Sequence, residues 1–232
     1  MTDRKFVPAL GSAALTGQYD RVIALMTREK RWRAALLSAI DPKNGEVILD
    51  VGAGTGTQAI ITKRTAPGAR VIALDPDPEV LRFAKAKAEA AGVVLEYVEG
   101  MGDRAAQLVG VAGADKVISS LMLHHCSIPM KSAVLAAMHA SLRPQGILHI
   151  ADYGQQRTFL MRLLFLQVQL TDGFETTQPN ADGMLPQLIA QAGFVDILET
   201  RVIQTLTGSI SIYTAVKPAQ GYSGQRSVSA VQ

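Results

Sequence analysis

From residue 46 onward, short apolar runs rich in β-branched residues alternate with stretches of helical pattern, and no other feature of the chain restricts its fold so tightly. The runs are Glu46–Val51, Arg70–Asp75, Val94–Val98, Asp115–Leu121 and Gly146–Ala151. Between them lie Gly56–Ala66, Pro78–Ala91, Asp103–Val109 and Pro129–Leu142, each long enough to cross over a sheet in a right-handed strand–helix–strand unit. Runs such as VIALD and VISSL are nearly continuous rather than alternating, as strands covered on both faces are. Five parallel strands with helices on both faces follow. With 48% of its 232 residues apolar and 19% charged, the chain can bury a core of that size, which excludes a disordered scaffold.

The C-terminal third changes rhythm. A helix around Leu185–Ala192 ends at Gly193, and Phe194–Ile203 and Ser209–Val216 read as two strands joined by about five residues. A joint that short holds no crossover helix, so this closing pair is antiparallel and the sheet is a mixed one of seven strands. Two segments stand outside that scheme: residues 6–40, a helical pattern carrying Trp32, and Thr158–Leu170, a helix with a narrow polar strip of Gln155, Thr158, Arg162 and Gln169. Both connect to the carboxyl-end side of the sheet and are candidate lids. The expected organisation is an N-terminal helical lid over 1–45, a ligand-binding domain over 46–217 with a helical insertion at about 155–181, and a frayed, Gly/Ser/Gln-rich tail over 218–232.

Ile48–Thr57 (ILDVGAGTGT) is the stretch richest in chemistry: a buried strand ending near Asp50 and running through Gly52, Gly54 and Gly56 into a helix. Glycines there permit positive φ and let a ligand approach bare backbone N–H groups at a helix N-terminus. The dinucleotide fingerprint places a Gly or Ala where this chain has Thr57, which weakens a nicotinamide reading. Asp50, two residues before the first glycine, would repel a pyrophosphate and suits a ligand carrying an ammonium and a sulfonium. Asp75 ends the second strand, where a carboxylate can accept both hydrogen bonds of a ribose diol.

These residues resemble the class I S-adenosylmethionine-dependent methyltransferases, in particular the small-molecule enzymes similar to the ubiquinone/menaquinone C-methyltransferase (methyltransferase type 11) family. ILDVGAGTG matches the family's first motif, VIALDPDPEVL its acidic second-strand motif, VISSLMLHH its fourth-strand motif and LRPQGILHIADYG its fifth, over roughly Tyr19 to Lys217. The resemblance implies a Rossmann-like α/β fold and S-adenosylmethionine as cofactor, with S-adenosylhomocysteine as product. It implies that Asp50 and the turn Gly52, Ala53, Gly54 and Gly56 hold the methionine part, Asp75 the ribose, and Pro76 one face of the adenine. Ser119 would lie beneath the cofactor, and Tyr19 would touch the methionine moiety from the lid. The family's adenine-binding Asp or Asn is replaced by Met101, leaving Gly102 to offer backbone and Asp103 to accept the hydrogen bond instead.

Methyl transfer from a sulfonium is an in-line displacement, so the protein mainly supplies alignment, exclusion of water and a path for the acceptor's proton. His124 and His125 follow the fourth strand, and either could be the base, His125 being the better placed; the alternative is that they only order the loop. Adjacent residues of an extended segment point to opposite faces, which argues against a metal site on His124, His125 and Cys126. Cys126 lacks an evident thiolate-stabilising partner beyond these histidines. Asp152 and Tyr153 end the fifth strand and could contact the acceptor or cap the next helix, while Glu175 and Asp182 read as turn residues of a polar loop. His139 and His149 read as structural.

Net charge is +3, and its local thickening at Arg28–Arg33 reads as a solvated helix face, so nucleic acid is not an expected partner. The expected partner is a small, fairly apolar acceptor methylated at oxygen, nitrogen or carbon. A nucleic-acid methyltransferase and a binding protein that kept the fold without transfer are the alternatives. One cysteine suits a reducing compartment, the first 20 residues do not read as a signal peptide, and no apolar run is long enough to span a membrane, so a cytoplasmic protein is expected.

Overall fold

The computed structural model describes residues 26–219; Tyr19, most of the expected N-terminal lid and the tail from 220 lie outside the described residues. In chain order the described elements are α1 (Glu29–Ile40), β1 (Val47–Val51), α2 (Thr57–Thr65), β2 (Arg70–Asp75), α3 (Pro78–Ala90) and β3 (Glu96–Glu99). A 3-10 turn (Gly102–Arg104), α4 (Ala105–Val109), β4 (Ala114–Ser120) and a second 3-10 turn (Leu123–His125) follow. The chain then runs through α5 (Ile128–Ser141), β5 (Leu142–Tyr153), α6 (Phe159–Asp172), α7 (Phe174–Ala181), α8 (Leu185–Gln191), β6 (Val195–Thr205) and β7 (Gly208–Val216).

The seven strands form one sheet in the order β3-β2-β1-β4-β5-β7-β6, with β7 antiparallel to both of its neighbours. This is the Rossmann-like mixed sheet expected from the strand pattern. Apolar clusters cover both faces, one built on Ile48, Val71, Ile118 and Ile212 and the other on Leu49, Ile72, Val117 and Leu148. Neighbouring positions of β1, β2, β4 and β5 thus feed opposite layers, which is why their sequences are apolar throughout rather than alternating. The order reverses at β1, so a crevice opens between the carboxyl ends of β1 and β4, where open α/β sheets take their ligands.

Local chemistry accounts for the element ends that frame that crevice. In α3, Asp77 caps the first turn by accepting from the Glu79 and Val80 amides, with Pro78 at the first helical position. Leu121, just past β4, sits in the left-handed region at φ 49° while its amide donates to the Ala151 carbonyl, 2.8 Å away. A branched side chain there costs about 1–2 kcal/mol and turns the chain sharply out of the sheet.

Three differences from the sequence reading stand out. The β6–β7 joint is a tight turn, Thr205 pairing directly with Gly208, which strengthens the antiparallel assignment. The stretch DGFETTQPNADG is not a polar loop: it contains α7, with Thr177, Pro179 and Asn180 buried. Its polar residues face inward because partners await them there, which a hydropathy pattern does not reveal. In α6 the expected polar strip is partly reversed. Gln169 is buried and donates to Gln178 at 2.8 Å, while Phe159, Leu160, Leu163 and Leu170 face outward.

Candidate active site

The turn after β1 is built from three residues in the left-handed region: Gly52 at φ 71°, Gly54 at 55° and Gly56 at 71°. A Cβ on Gly52 would meet Met122 Cγ at 2.5 Å, so the β4 loop lies directly on that glycine. Beside Gly54 there is nothing within 4 Å, and its bare backbone faces open space. The turn's amides, however, are already in use. Those of Gly52 and Ala53 donate to the Leu74 carbonyl at 2.9 and 3.0 Å, Gly54 donates to Asp75 Oδ2 at 2.9 Å, and Gly56 to the Ala53 carbonyl at 3.0 Å. The expected row of bare N–H groups is therefore corrected: these four donors are spent internally, and the turn offers a phosphate little.

Asp50 supplies the opposite chemistry. Its side chain is fully buried, and among the described residues neither carboxylate oxygen has a hydrogen-bond partner. Burial pushes its pKa up to about 7, against the pull of the Arg33 charge and with the Asp75 charge adding to the rise. Such an acceptor is held at a cost that a cationic ligand relieves. Arg33 reaches this region from α1, with its Nε 2.6 Å from Glu29 and its guanidinium over the Trp32 ring. The basic cluster read as a solvated face thus turns one member inward.

Asp75, at the end of β2, accepts from the Gly54 and Asp77 amides at 2.9 and 3.1 Å. Burial raises its pKa, and those two hydrogen bonds pull it back. Pro76 is half-buried beside it. Ser119 is buried in β4 and donates to the Val51 carbonyl at 2.9 Å, so it ties the crevice floor together. Met101 is half-buried and precedes the 3-10 turn holding Gly102 and Asp103; a Cβ on Gly102 would meet Val51 Cγ1 at 2.9 Å, which places that turn against β1.

On the β5 side one buried carboxylate organises everything. Asp152 Oδ2 accepts from the Met122 and Leu123 amides at 3.1 and 2.8 Å. Its Oδ1 lies 2.7 Å from His124 Nδ1, accepts from the Tyr153 amide at 2.8 Å and lies 3.5 Å from Asn180 Nδ2, an amide that also donates to the Tyr153 carbonyl. Burial opposes ionisation of Asp152, yet His124, Lys131 and these bonds hold its pKa below the ordinary carboxylate value. Tyr153 stacks edge-on against His124 and shares a hydrogen bond with Thr207 at 2.9 Å; burial pushes its pKa up to about 12.

His124 and His125 do not lie in an extended segment. They occupy the 3-10 turn, which brings their rings to a centroid distance of 4.0 Å, and the premise that sent them to opposite faces is corrected. His124 is buried and His125 exposed, and both face Asp172 at the end of α6: Oδ2 lies 3.6 Å from His124 Nε2 and 3.8 Å from His125 Nδ1. Cys126 turns elsewhere, its sulfur 3.7 Å from Met122 Sδ, and burial pushes its thiol up to about 11, which suits no nucleophile. Glu175 is exposed in the first turn of α7, and Asp182 just beyond it pairs with Arg162 at 3.4 Å. His139 packs against Phe194, and His149 is buried within β5 with its pKa pushed down to about 3.

Lys131 was not singled out by the sequence. It is fully buried in α5 and donates to the carbonyls of Cys126 and Thr176, the latter at 2.8 Å. Burial lowers its pKa, with Asp152 opposing. Its one signal is a lone charged residue within a largely apolar helical run, IPMKSAVLAAM. Asp172 and Asn180 carried no such signal, because their partners are 27 or more residues away.

A mixed sheet whose order reverses at β1, with the buried carboxylates Asp50 and Asp75 at that switch point, defines an α/β protein of the Rossmann-like class. Residues 48–146 match the family model described as a methyltransferase domain. The malonyl-[acyl-carrier protein] O-methyltransferase of Xylella fastidiosa is 35% identical over 150 residues, 64% of this chain and 49% of that protein. The ubiquinone/menaquinone biosynthesis C-methyltransferase UbiE of Paracoccus denitrificans is 27% identical over 154 residues, 65% of this chain and 60% of that protein. The chain thus spans between about half and three fifths of the length of these curated relatives. The crystal structure of the S-adenosylmethionine-dependent methyltransferase SibL in its apo form superposes with a TM-score of 0.63 at 20% identity, covering 88% of this chain and 60% of that one. Over these regions the chain is similar to class I S-adenosylmethionine-dependent methyltransferases, among them the ubiquinone/menaquinone C-methyltransferases.

Proposed function

We propose that this protein transfers a methyl group from S-adenosylmethionine to a small, fairly apolar acceptor, releasing S-adenosylhomocysteine. The observation that carries the reading is Asp50: a buried carboxylate with both oxygens unpartnered among the described residues, next to a turn in which Gly54 faces open space and four of the amides are spent internally. That donor set fits an ammonium and a sulfonium and disfavours a pyrophosphate. When bound, such a cofactor supplies an electrophilic methyl group on sulfur.

The chain's residues do the rest by holding and excluding. Asp50 would receive the ammonium end, and Asp75 the ribose hydroxyls in addition to its two backbone donors. Pro76, Met101, Gly102 and Asp103 would flank the adenine, and Ser119 fixes the floor. Tyr153 and Asp152 would close the opposite wall, with Phe165 packed against the Tyr153 ring at 5.0 Å behind them. The acceptor's proton would be handled where His124, His125 and Asp172 converge.

Calorimetric titration of the full chain with S-adenosylhomocysteine tests the first half of this reading. Saturable 1:1 binding in the micromolar range is expected, with no heat from NAD(H). Absence of binding would remove the proposal. A metabolite-extract screen with a radiolabelled methyl donor then identifies the acceptor class.

A further inference from the structure

We propose that His124, His125 and Asp172 form a binding site for a divalent transition-metal ion of the zinc or ferrous kind, placed on the acceptor side of the crevice. Each residue offers one ligand atom, and the three atoms lie within 4.8 Å of one another. Two ligands about 2.1 Å from a tetrahedral ion sit about 3.4 Å apart, and the observed 3.6 and 3.8 Å separations from Asp172 Oδ2 need only a slight closure to meet that. Both separations exceed hydrogen-bonding distance, so the atoms are gathered without being bonded to one another.

A second observation points the same way. Asp152 lies 2.7 Å from His124 Nδ1 and is itself anchored by the Met122 and Leu123 amides. With the Nδ1 proton given to that carboxylate, the Nε2 lone pair is aimed at the cluster, the carboxylate–histidine–metal arrangement that orients metal-bound imidazoles. Lys131, the cation nearest this network in α5, is turned onto the carbonyls of Cys126 and Thr176, leaving Asp172 to face the two imidazoles. Burial of His124 and exposure of His125 give the site one closed and one open side.

Two imidazoles and one carboxylate on one side of an ion leave the remaining positions open, as in catalytic rather than structural sites. The class of acceptor that fits is one with an oxygen lone pair, a phenol or an enol, whose hydroxyl ionises more readily on an ion. This role in the reaction rests on the reading given under Proposed function; the metal site itself does not.

The test is calorimetric titration of the metal-stripped full chain with Zn2+ alone, repeated with Co2+ to observe visible d–d bands. One ion per chain is expected at micromolar or tighter affinity, weakened at least about 50-fold in Asp172→Asn and in His125→Gln, and unchanged in His139→Gln. Asp152→Asn should weaken it about 10–100-fold without removing a ligand atom. Thermal melts and S-adenosylhomocysteine binding are measured on every variant, so that a misfolded protein is recognised and Asp172→Asn, which ends an exposed helix turn, carries the decision. No Zn2+ binding by the wild type, or wild-type affinity in a folded Asp172→Asn, overturns the site. If S-adenosylhomocysteine still binds in that case, the cofactor reading stands alone.

Discussion

In the proposed reading, Asp50 is the residue that separates one ligand class from another. Its pKa of about 7 in the ligand-free fold is far above the unfolded value of about 3.9, so the folded state retains a proton there that the unfolded chain has lost. This group's contribution to stability is therefore full below about pH 4 and lost as pH rises to about 7. In the proposed reading cofactor binding runs the other way, because an ammonium selects the ionised carboxylate. Affinity for S-adenosylhomocysteine should rise between pH 5 and 7 and level off above, with close to one proton released per ligand at pH 6. Calorimetry in buffers of different ionisation enthalpy measures that proton, and a flat affinity profile would place the ammonium elsewhere. Asp75→Ala should weaken binding by about 1.5–3 kcal/mol through lost hydrogen bonds to a charged acceptor; an unchanged affinity would mean that the ribose lies elsewhere. His125→Ala should lower turnover about tenfold or more while leaving cofactor affinity near wild type, as steady-state rates set beside calorimetry would reveal.

Among elements, the strands were legible to within about two residues at most of their ends, because their apolar runs are bounded by Gly, Pro, Asn and Asp and need no partner to be recognised. The helix α7 was not. Its sequence carries Pro179, Asn180 and a flanking glycine, and it is held in helical form by bonds to residues 27 or more positions away, Asn180 to Asp152 and Tyr153 and Thr176 to Lys131. The histidine pair was legible as a pair but not as a geometry, since an extended segment and a 3-10 turn have the same letters. Lys131→Met tests the anchoring of α7 directly. It leaves the Cys126 and Thr176 carbonyls without their donor, and a loss of about 1–3 kcal/mol is expected in denaturant melts. Amide exchange should quicken first in α7; uniform exchange with no selective change there would show that the lysine does not hold that helix.

At the scale of the whole molecule, a single sheet with two apolar layers carries both proposed halves of the site at the carboxyl ends of its parallel strands. The proposed cofactor half was readable as candidate residues from ILDVGAGTGT and VIALD, because its glycines and carboxylates sit within two short stretches at strand ends. The acceptor half was not, because α6, α7 and the β4 loop contribute one or two groups each from distant parts of the chain. No helix among the described residues is long and apolar enough to cross a membrane. Ligation should stabilise the fold as one unit: at a hundred times its dissociation constant, S-adenosylhomocysteine should add about 2.7 kcal/mol and raise the thermal midpoint accordingly. A midpoint that does not move with ligand concentration would contradict specific binding to the native state.

Asp152 is shared by the loop lying on Gly52 and, through Asn180, by the helix on the far wall. Descendants of this chain that come to accept a new compound are therefore constrained unevenly. Replacement of Asp152 would disturb both walls together, whereas the exposed row of Phe159, Leu160, Leu163 and Leu170 should tolerate substitution with little effect on either wall.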